Sequence, residues 1–132
     1  MSDESGFDVD GQIEYWRSLV SKDLTIAEKL IIRDSEAAYG LFFVHMAVEK
    51  IIKAHVVKQT RTFPPKNHNL MALANLGKLE LSHEQSDFCG KINVYNIEAR
   101  YPGIFAESPK VEKASEYLAY AKELIAWLTA QL

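Results

Sequence analysis

His45-Met46-Ala47-Val48-Glu49-Lys50-Ile51-Ile52-Lys53-Ala54 sets a His, a Glu and a Lys four residues apart inside a run that is otherwise mostly apolar. A helix stacks residues i and i+4 on one face. His45, Glu49 and Lys53 therefore form one polar file along a helix whose other faces are apolar. Just upstream, Leu41-Phe42-Phe43-Val44 is apolar at four successive positions. A helix apolar on nearly every side has to be buried on nearly every side. In a small helical protein that pattern predicts a subunit interface. Burial alone asks for no polar file, so the file is the first place to look for function.

The chain on either side keeps the helical period. Ile13, Trp16, Val20, Leu24, Ala27 and Ile31 predict a first helix that starts at Asp10 as N-cap and ends near Arg33 to Ser35. Neither Gly nor Pro marks that end. Asp34 or Ser35 caps the second helix, whose stripe is Ala38, Leu41, Val44 or His45, Val48 and Ile52. It fades near Gln59, before Thr62-Phe63-Pro64-Pro65, where two prolines forbid its continuation. A short third helix starts at Asn67 or Asn69, ends at Leu76 with Gly77 as C-cap, and has Leu70, Leu73 and Leu76 on its apolar face. Ser82-His83-Glu84-Gln85 fits a capping box and opens the fourth helix, with the stripe Phe88, Ile92, Tyr95 and Ala99 and a stop at Pro102-Gly103. Ser108-Pro109 opens the fifth. Its seam, Val111, Ala114, Leu118, Ala121, Ile125, Leu128 and Leu132, is either core or the contact with a second copy.

No segment alternates as a strand does. The expectation is an all-α fold: an up-down antiparallel bundle of four long helices plus one short helix. Its single domain covers residues 10–132. Residues 1–9 are expected to be a flexible tail, since Met1 to Asp10 holds four acids and no base.

Composition narrows the classes. The chain has 132 residues, enough for one domain with a core, and a net charge of −3 that gives no global polyanion-binding signature. One cysteine, Cys89, excludes an internal disulfide framework and a multi-cysteine metal site, and on a core stripe it reads as a small hydrophobe. The acidic N-terminus is no signal peptide, and the apolar runs are too short to span a membrane. A soluble cytoplasmic protein is expected. Charge is uneven, however. Lys50 to His68 contains Lys50, Lys53, Lys58, Arg61 and Lys66 and no acid. Such a tract serves either a local anion partner or a helix C-terminus whose dipole favours cations.

Three groups of residues bear on chemistry. In the first, Glu49 can accept from His45 and pair with Lys53, either as a register-fixing ion cluster or as part of an anion or nucleotide site. In the second, Ile97-Glu98-Ala99-Arg100-Tyr101-Pro102, Arg100 either caps its helix or forks onto a carboxylate such as Glu49. In the third, Lys66-Asn67-His68-Asn69-Leu70, His68 sits among capping residues at a helix start. No metal site is expected: His45 and Glu49 are two ligands without a third at useful spacing. No Gly-rich phosphate loop and no PLP, flavin or dinucleotide signature is present, so no cofactor is expected.

The His45–Ala54 segment, then Asn67-His68-Asn69-Leu70, then Ala99-Arg100-Tyr101-Pro102, resemble in order and spacing the HEPN (higher eukaryotes and prokaryotes nucleotide-binding) domain family. The likeness runs from about Tyr15 to Leu128. It implies a helical bundle of four to five helices, a homodimer, and a nucleotide or RNA ligand. Small stand-alone prokaryotic members often accompany a minimal nucleotidyltransferase in toxin–antitoxin pairs, so such a partner protein is implied too. It also implies that Lys53, His68, Arg100 and Tyr101 form a nucleotide or anion site, organised by Glu49 and His45, with Glu49 facing Arg100. Many members are metal-independent ribonucleases with an Arg, four to six residues, and then a His on a late helix. This chain departs from that pattern. Its fourth helix carries Lys91, Asn93, Asn96 and Arg100 but no His after Glu84. The only Arg–His pair in range is Arg61 and His68, which straddles Pro64-Pro65. These two are the candidates for catalysis. The expectation is a binding module, with a ribonuclease toxin or a non-catalytic interaction scaffold as alternatives.

Overall fold

The computed structural model describes residues 6–100 and 109–132, with side chains throughout except at 97–100. The described residues form six α-helices in order: α1 (Val9–Ser18), α2 (Val20–Glu28), α3 (Ala37–Thr60), α4 (Leu70–Leu76), α5 (His83–Arg100) and α6 (Val111–Thr129). A π-helical turn, Lys29–Arg33, extends α2. The described residues form no strand, so the expected all-α class holds.

The predicted first helix is a rod in three pieces. It starts at Val9 rather than after Asp10, because Asp8 Oδ1 accepts from the Gly11 N–H at 2.9 Å and caps it. Asp10 lies in the first turn, where the helix dipole favours its charge. At Leu19 the rod tightens: the Leu19 N–H reaches back only three residues, to Trp16 O at 3.3 Å. The stripe still faces inward, with Val20, Ala27 and Ile31 buried and Ile13, Trp16 and Leu24 partly so. The last turn widens to π geometry, closed by the Asp34 N–H on Lys29 O at 3.1 Å. Ser35 then takes the left-handed conformation (φ 55°) and turns the chain without Gly or Pro. Asp34 and Ser35 are thus spent on closing one helix, and Glu36 takes the N-cap position of α3.

Helix α3 is central. The rod, α4, α5 and α6 all pack against it. Leu41, Val44, Ala47, Val48, Ile51, Ile52, Ala54, Val56 and Val57 are buried accordingly. Of Leu41-Phe42-Phe43-Val44, the run from which a subunit interface is expected, Leu41 and Val44 are buried within the chain and Phe42 and Phe43 are half-buried. The α6 seam is likewise core: Ala114, Leu118, Ala121, Ile125 and Leu128 are buried, while Val111 at its start is exposed. Helix α6 begins after Lys110, which makes no side-chain cap bond, and Pro109 precedes it. Ser108 lies outside the described residues. Ion pairs and caps tie the layers at their margins: Lys50 with Asp23 (2.5 Å), Lys122 with Glu28 (3.5 Å), and His55 Nε2 donating to Leu128 O (2.8 Å). Cys89 is fully buried, and burial pushes its thiol up to about 11, so it acts as a packing residue.

The short elements follow local cap chemistry. Asn69 caps α4 through Oδ1 on the Ala72 N–H at 3.0 Å. Leu70 and Leu73 face the core, but Leu76 is 44% exposed, and Ala74 is the third buried residue. Gly77 is the C-cap residue, while Lys78 takes the left-handed turn after it (φ 51°). The Ser82–Gln85 box is closed in both directions, at 2.8 and 3.0 Å. Ser82→Ala should cost about 1 kcal/mol, read as a lowered urea midpoint. An unchanged midpoint would mean that water replaces the cap at no cost. No helix among the described residues is long and apolar enough to cross a membrane.

Candidate functional site

Glu49 is a carboxylate inside the core, only 2% exposed. Three bases converge on it. Lys53 Nζ lies 2.9 Å from Oε2, one turn further along α3. His68 Nδ1, from the segment before α4, lies 3.1 Å from Oε1 and 3.2 Å from Oε2. His45 Nδ1, one turn earlier, lies 3.8 Å from Oε1. The lysine is 7% exposed, and its ammonium sits 5.2 Å from the centroid of the Trp16 ring, whose π face favours a cation. So α1 closes this pair from above.

His45 ties the other side. Its Nε2 lies 2.9 Å from the His68 carbonyl and 3.2 Å from Asn93 Oδ1 on α5. Asn93 Oδ1 also accepts from the Leu70 N–H at 3.3 Å. The Leu70 donor fixes the Asn93 amide with its oxygen inward, so Nε2 faces two acceptors and carries the proton. His45 Nδ1 is left buried and without a hydrogen-bond partner, as is Trp16 Nε1. Burial lowers the His45 pKa, against the opposing pull of the Glu49 charge. The buried assembly is thus one carboxylate, one ammonium and a neutral imidazole.

His68 is the outward edge. Its side chain is 41% exposed and borders an open cleft of about 230 Å³ lined also by Asn67, Asn69, Asn93 and Asn96. Because Nδ1–H donates to Glu49, the neutral ring turns an Nε2 lone pair away from that carboxylate. A carboxylate behind an imidazole is the arrangement that holds one tautomer and one ring orientation, with the far nitrogen as the acceptor.

The two buried histidines set a pH dependence. His55, like His45, has its pKa lowered, first by burial and only then opposed by its bond to Leu128 O. The unfolded chain takes up protons below about pH 6.5 that these folded imidazoles resist. Their contribution is therefore full above that pH and is lost as pH falls below it. Urea midpoints should drop between about pH 7.5 and about pH 5.5, and His55→Gln should shrink the drop. A flat profile across that window would contradict the buried neutral assignment.

A family model described as HEPN domain matches residues 13–131. The chain belongs to the HEPN domain family. No match is found among curated proteins or among solved structures. The HEPN resemblance placed Glu49, His45, Lys53 and His68 in one site, and the structure brings these four together. Arg61 is not with them. It is exposed at the end of α3, with a left-handed backbone (φ 59°), twelve residues beyond Glu49. That spacing is about 18 Å along the helix axis, so the Arg61 backbone stands well away from the cluster around Glu49. Arg100 is the last residue of α5, and its side chain, like the whole of Tyr101, lies outside the described residues. The expected Glu49–Arg100 contact falls there as well. Two participants escaped the sequence reading, Asn93 and Trp16. For Asn93 the signal was an amide beside the buried Ile92, three residues before a second amide, Asn96.

Proposed function

We propose that this HEPN domain is a nucleotide- or nucleic-acid-binding module whose ligand enters the cleft beside His68. The observation that carries the reading is the convergence of His45, Lys53 and His68 on buried Glu49, with Asn93 locking the second histidine edge. Packing a helix needs no such cluster, since apolar residues of similar volume hold a core as well or better. What the cluster achieves is a fixed, half-exposed imidazole at the mouth of an amide-lined cleft. Lys53, with its charge committed to Glu49, acts through that carboxylate rather than on a ligand. Arg100 follows Asn93 and Asn96 by seven and four residues on α5, a spacing that shares one helix face. It and Tyr101 complete the site in this reading. Kinship with the HEPN family supports a homodimer and a toxin–antitoxin-like pairing with a nucleotidyltransferase. Fluorescence anisotropy with single-stranded RNA tests the module: saturable binding, weakened at least tenfold by His68→Ala, is expected. Absence of binding to RNA and to nucleotides would leave a scaffold role. Sedimentation as a monomer at micromolar concentration would remove the dimer.

A second reading, a metal-independent ribonuclease, is favoured by the Glu49–His68 pair. His68 Nε2 would take the proton of a ribose 2′-hydroxyl. The 2′-oxygen would attack the adjacent phosphorus, the P–O5′ bond would break, and the leaving 5′-oxygen would take a proton from water. The products are a 2′,3′-cyclic phosphate and a 5′-hydroxyl. Cleavage in chelator with those ends, abolished by His68→Ala, would decide for this reading, and intact RNA would exclude it.

A further inference from the structure

On α6 the core takes Ala114, Leu118, Ala121, Ile125 and Leu128. A second stripe runs beside that seam: Glu116, Tyr120, Glu123 and Trp127, spaced four, three and four and therefore on one face. Glu84 stands across from it on α5. Glu84 and Tyr120 line both of two adjoining open clefts between the helices, of about 200 and 330 Å³, and Glu123 and Trp127 line the larger. We infer that this groove is a docking surface for an arginine-bearing segment of a partner protein. The inference does not depend on the reading of the His68 cleft.

The chain holds two of its own lysines by one device, a carboxylate on one side and an aromatic ring on the other. Lys53 lies between Glu49 and Trp16, and Lys113 lies 3.6 Å from Glu116 Oε2 and 5.4 Å from the Tyr117 ring centroid. The groove repeats the device without a cation. Buried Phe88 packs on Tyr120 at 4.6 Å between centroids and steadies that ring, while Trp127 is 42% exposed. Glu84 and Glu123 both act on the Tyr120 hydroxyl, whose pKa is raised first by burial and then by the charges of Glu84, Cys89 and Glu123. The Glu84 carboxylate is not engaged in capping α5, since Ser82 and Gln85 close that box between them. Neighbouring bases are held elsewhere, Lys91 by Asp87 at 3.0 Å and Lys122 by Glu28 at 3.5 Å. Among the described residues no base pairs with Glu84 or Glu123. Of the side chains outside them only Arg100 is basic, and it follows Glu84 by sixteen residues on α5, about 24 Å along the axis.

Two unpaired carboxylates beside aromatic planes call for a cation, and the planes decide which. A guanidinium is flat, stacks on a ring and offers a fork of donors to carboxylates on either side, whereas an ammonium is a compact point charge. Length decides between a segment and a single ion. The stripe from Glu116 to Trp127 is about 16 Å long, the span of about five residues of extended chain.

Isothermal titration of the full chain with a capped peptide of three Arg-Ser-Gly repeats tests the surface. Saturable binding is expected. The double variant Glu84→Gln, Glu123→Gln should weaken it roughly tenfold or more, the size of a lost charge-assisted fork. Both glutamates are exposed, so the melting temperature should hold. Trp127→Ala should weaken binding about threefold or more, as loss of a stacked cation does. The same peptide with lysine in place of arginine, and spermidine, should each bind about threefold or more weakly than the arginine peptide. Absence of saturable binding, an affinity unaltered in the double variant or in Trp127→Ala, or lysine peptide or spermidine binding as tightly as the arginine peptide would overturn the inference. So would an equal loss from Glu14→Gln with Asp34→Asn, which removes two charges outside the groove and would mark the attraction as general.

Discussion

Glu49→Ala should cost roughly 3–5 kcal/mol of folding stability, the range for removing one partner of a buried ion pair. Against a total of about 5–15 kcal/mol for a domain, that leaves the fold marginal. The loss is unevenly shared among the groups around Glu49. His68 is 41% exposed and can turn its Nδ1–H to water. Lys53 cannot: its side chain is 7% exposed, and its ammonium is lodged between Glu49 and the Trp16 ring. Without the carboxylate a buried cation retains only an aromatic face. The double variant Glu49→Ala, Lys53→Met removes that charge and keeps the aliphatic stem, so it should be clearly more stable than Glu49→Ala alone. Urea denaturation of the two singles and the double gives the coupling directly. Losses that simply add would show that the pair contributes nothing beyond its separate residues.

The same cluster shows what a linear sequence discloses. The i, i+4 file of His45, Glu49 and Lys53 is local, and so is the Ser82–Gln85 box. Both could be read because the helix itself brings their atoms together. Asn93 could not, since its partner His45 lies 48 residues away and no spacing announces it. The apolar surround of α3 told that every face is covered but not by what. Six elements of the same chain supply most of the cover and leave Phe42 and Phe43 half-buried. The helix ends behaved alike. Asn69 and Ser82 start helices by their own side chains, whereas the break at Leu19 and the π turn at Lys29–Arg33 carry no local marker. Packing against α3 is the remaining cause, and one glycine locates it.

Gly40→Ala should destabilise the protein by about 1–3 kcal/mol, although alanine in an ordinary helix gains about 1 kcal/mol over glycine. Gly40 is fully helical and donates to Glu36 O at 2.9 Å, so no unusual backbone conformation calls for glycine there. Space does. A Cβ at this position would lie 2.4 Å from Ile31 Cγ1 and 3.1 Å from Ala27 O. Ile31 is completely buried in the π turn, and its β-branched side chain has little rotamer freedom with which to yield. The carbonyl of Ala27 moves only if the helix moves. The widened turn therefore seats Ile31 against the bare backbone of α3. Ile31→Ala alone should open a cavity and cost roughly 2–5 kcal/mol. The double variant Gly40→Ala, Ile31→Ala should lose less than the two singles together, because the new methyl group enters the space that the isoleucine vacates. If Gly40→Ala instead raises the melting temperature, as an unconstrained helical glycine would, the contact is slack and the π turn has another cause.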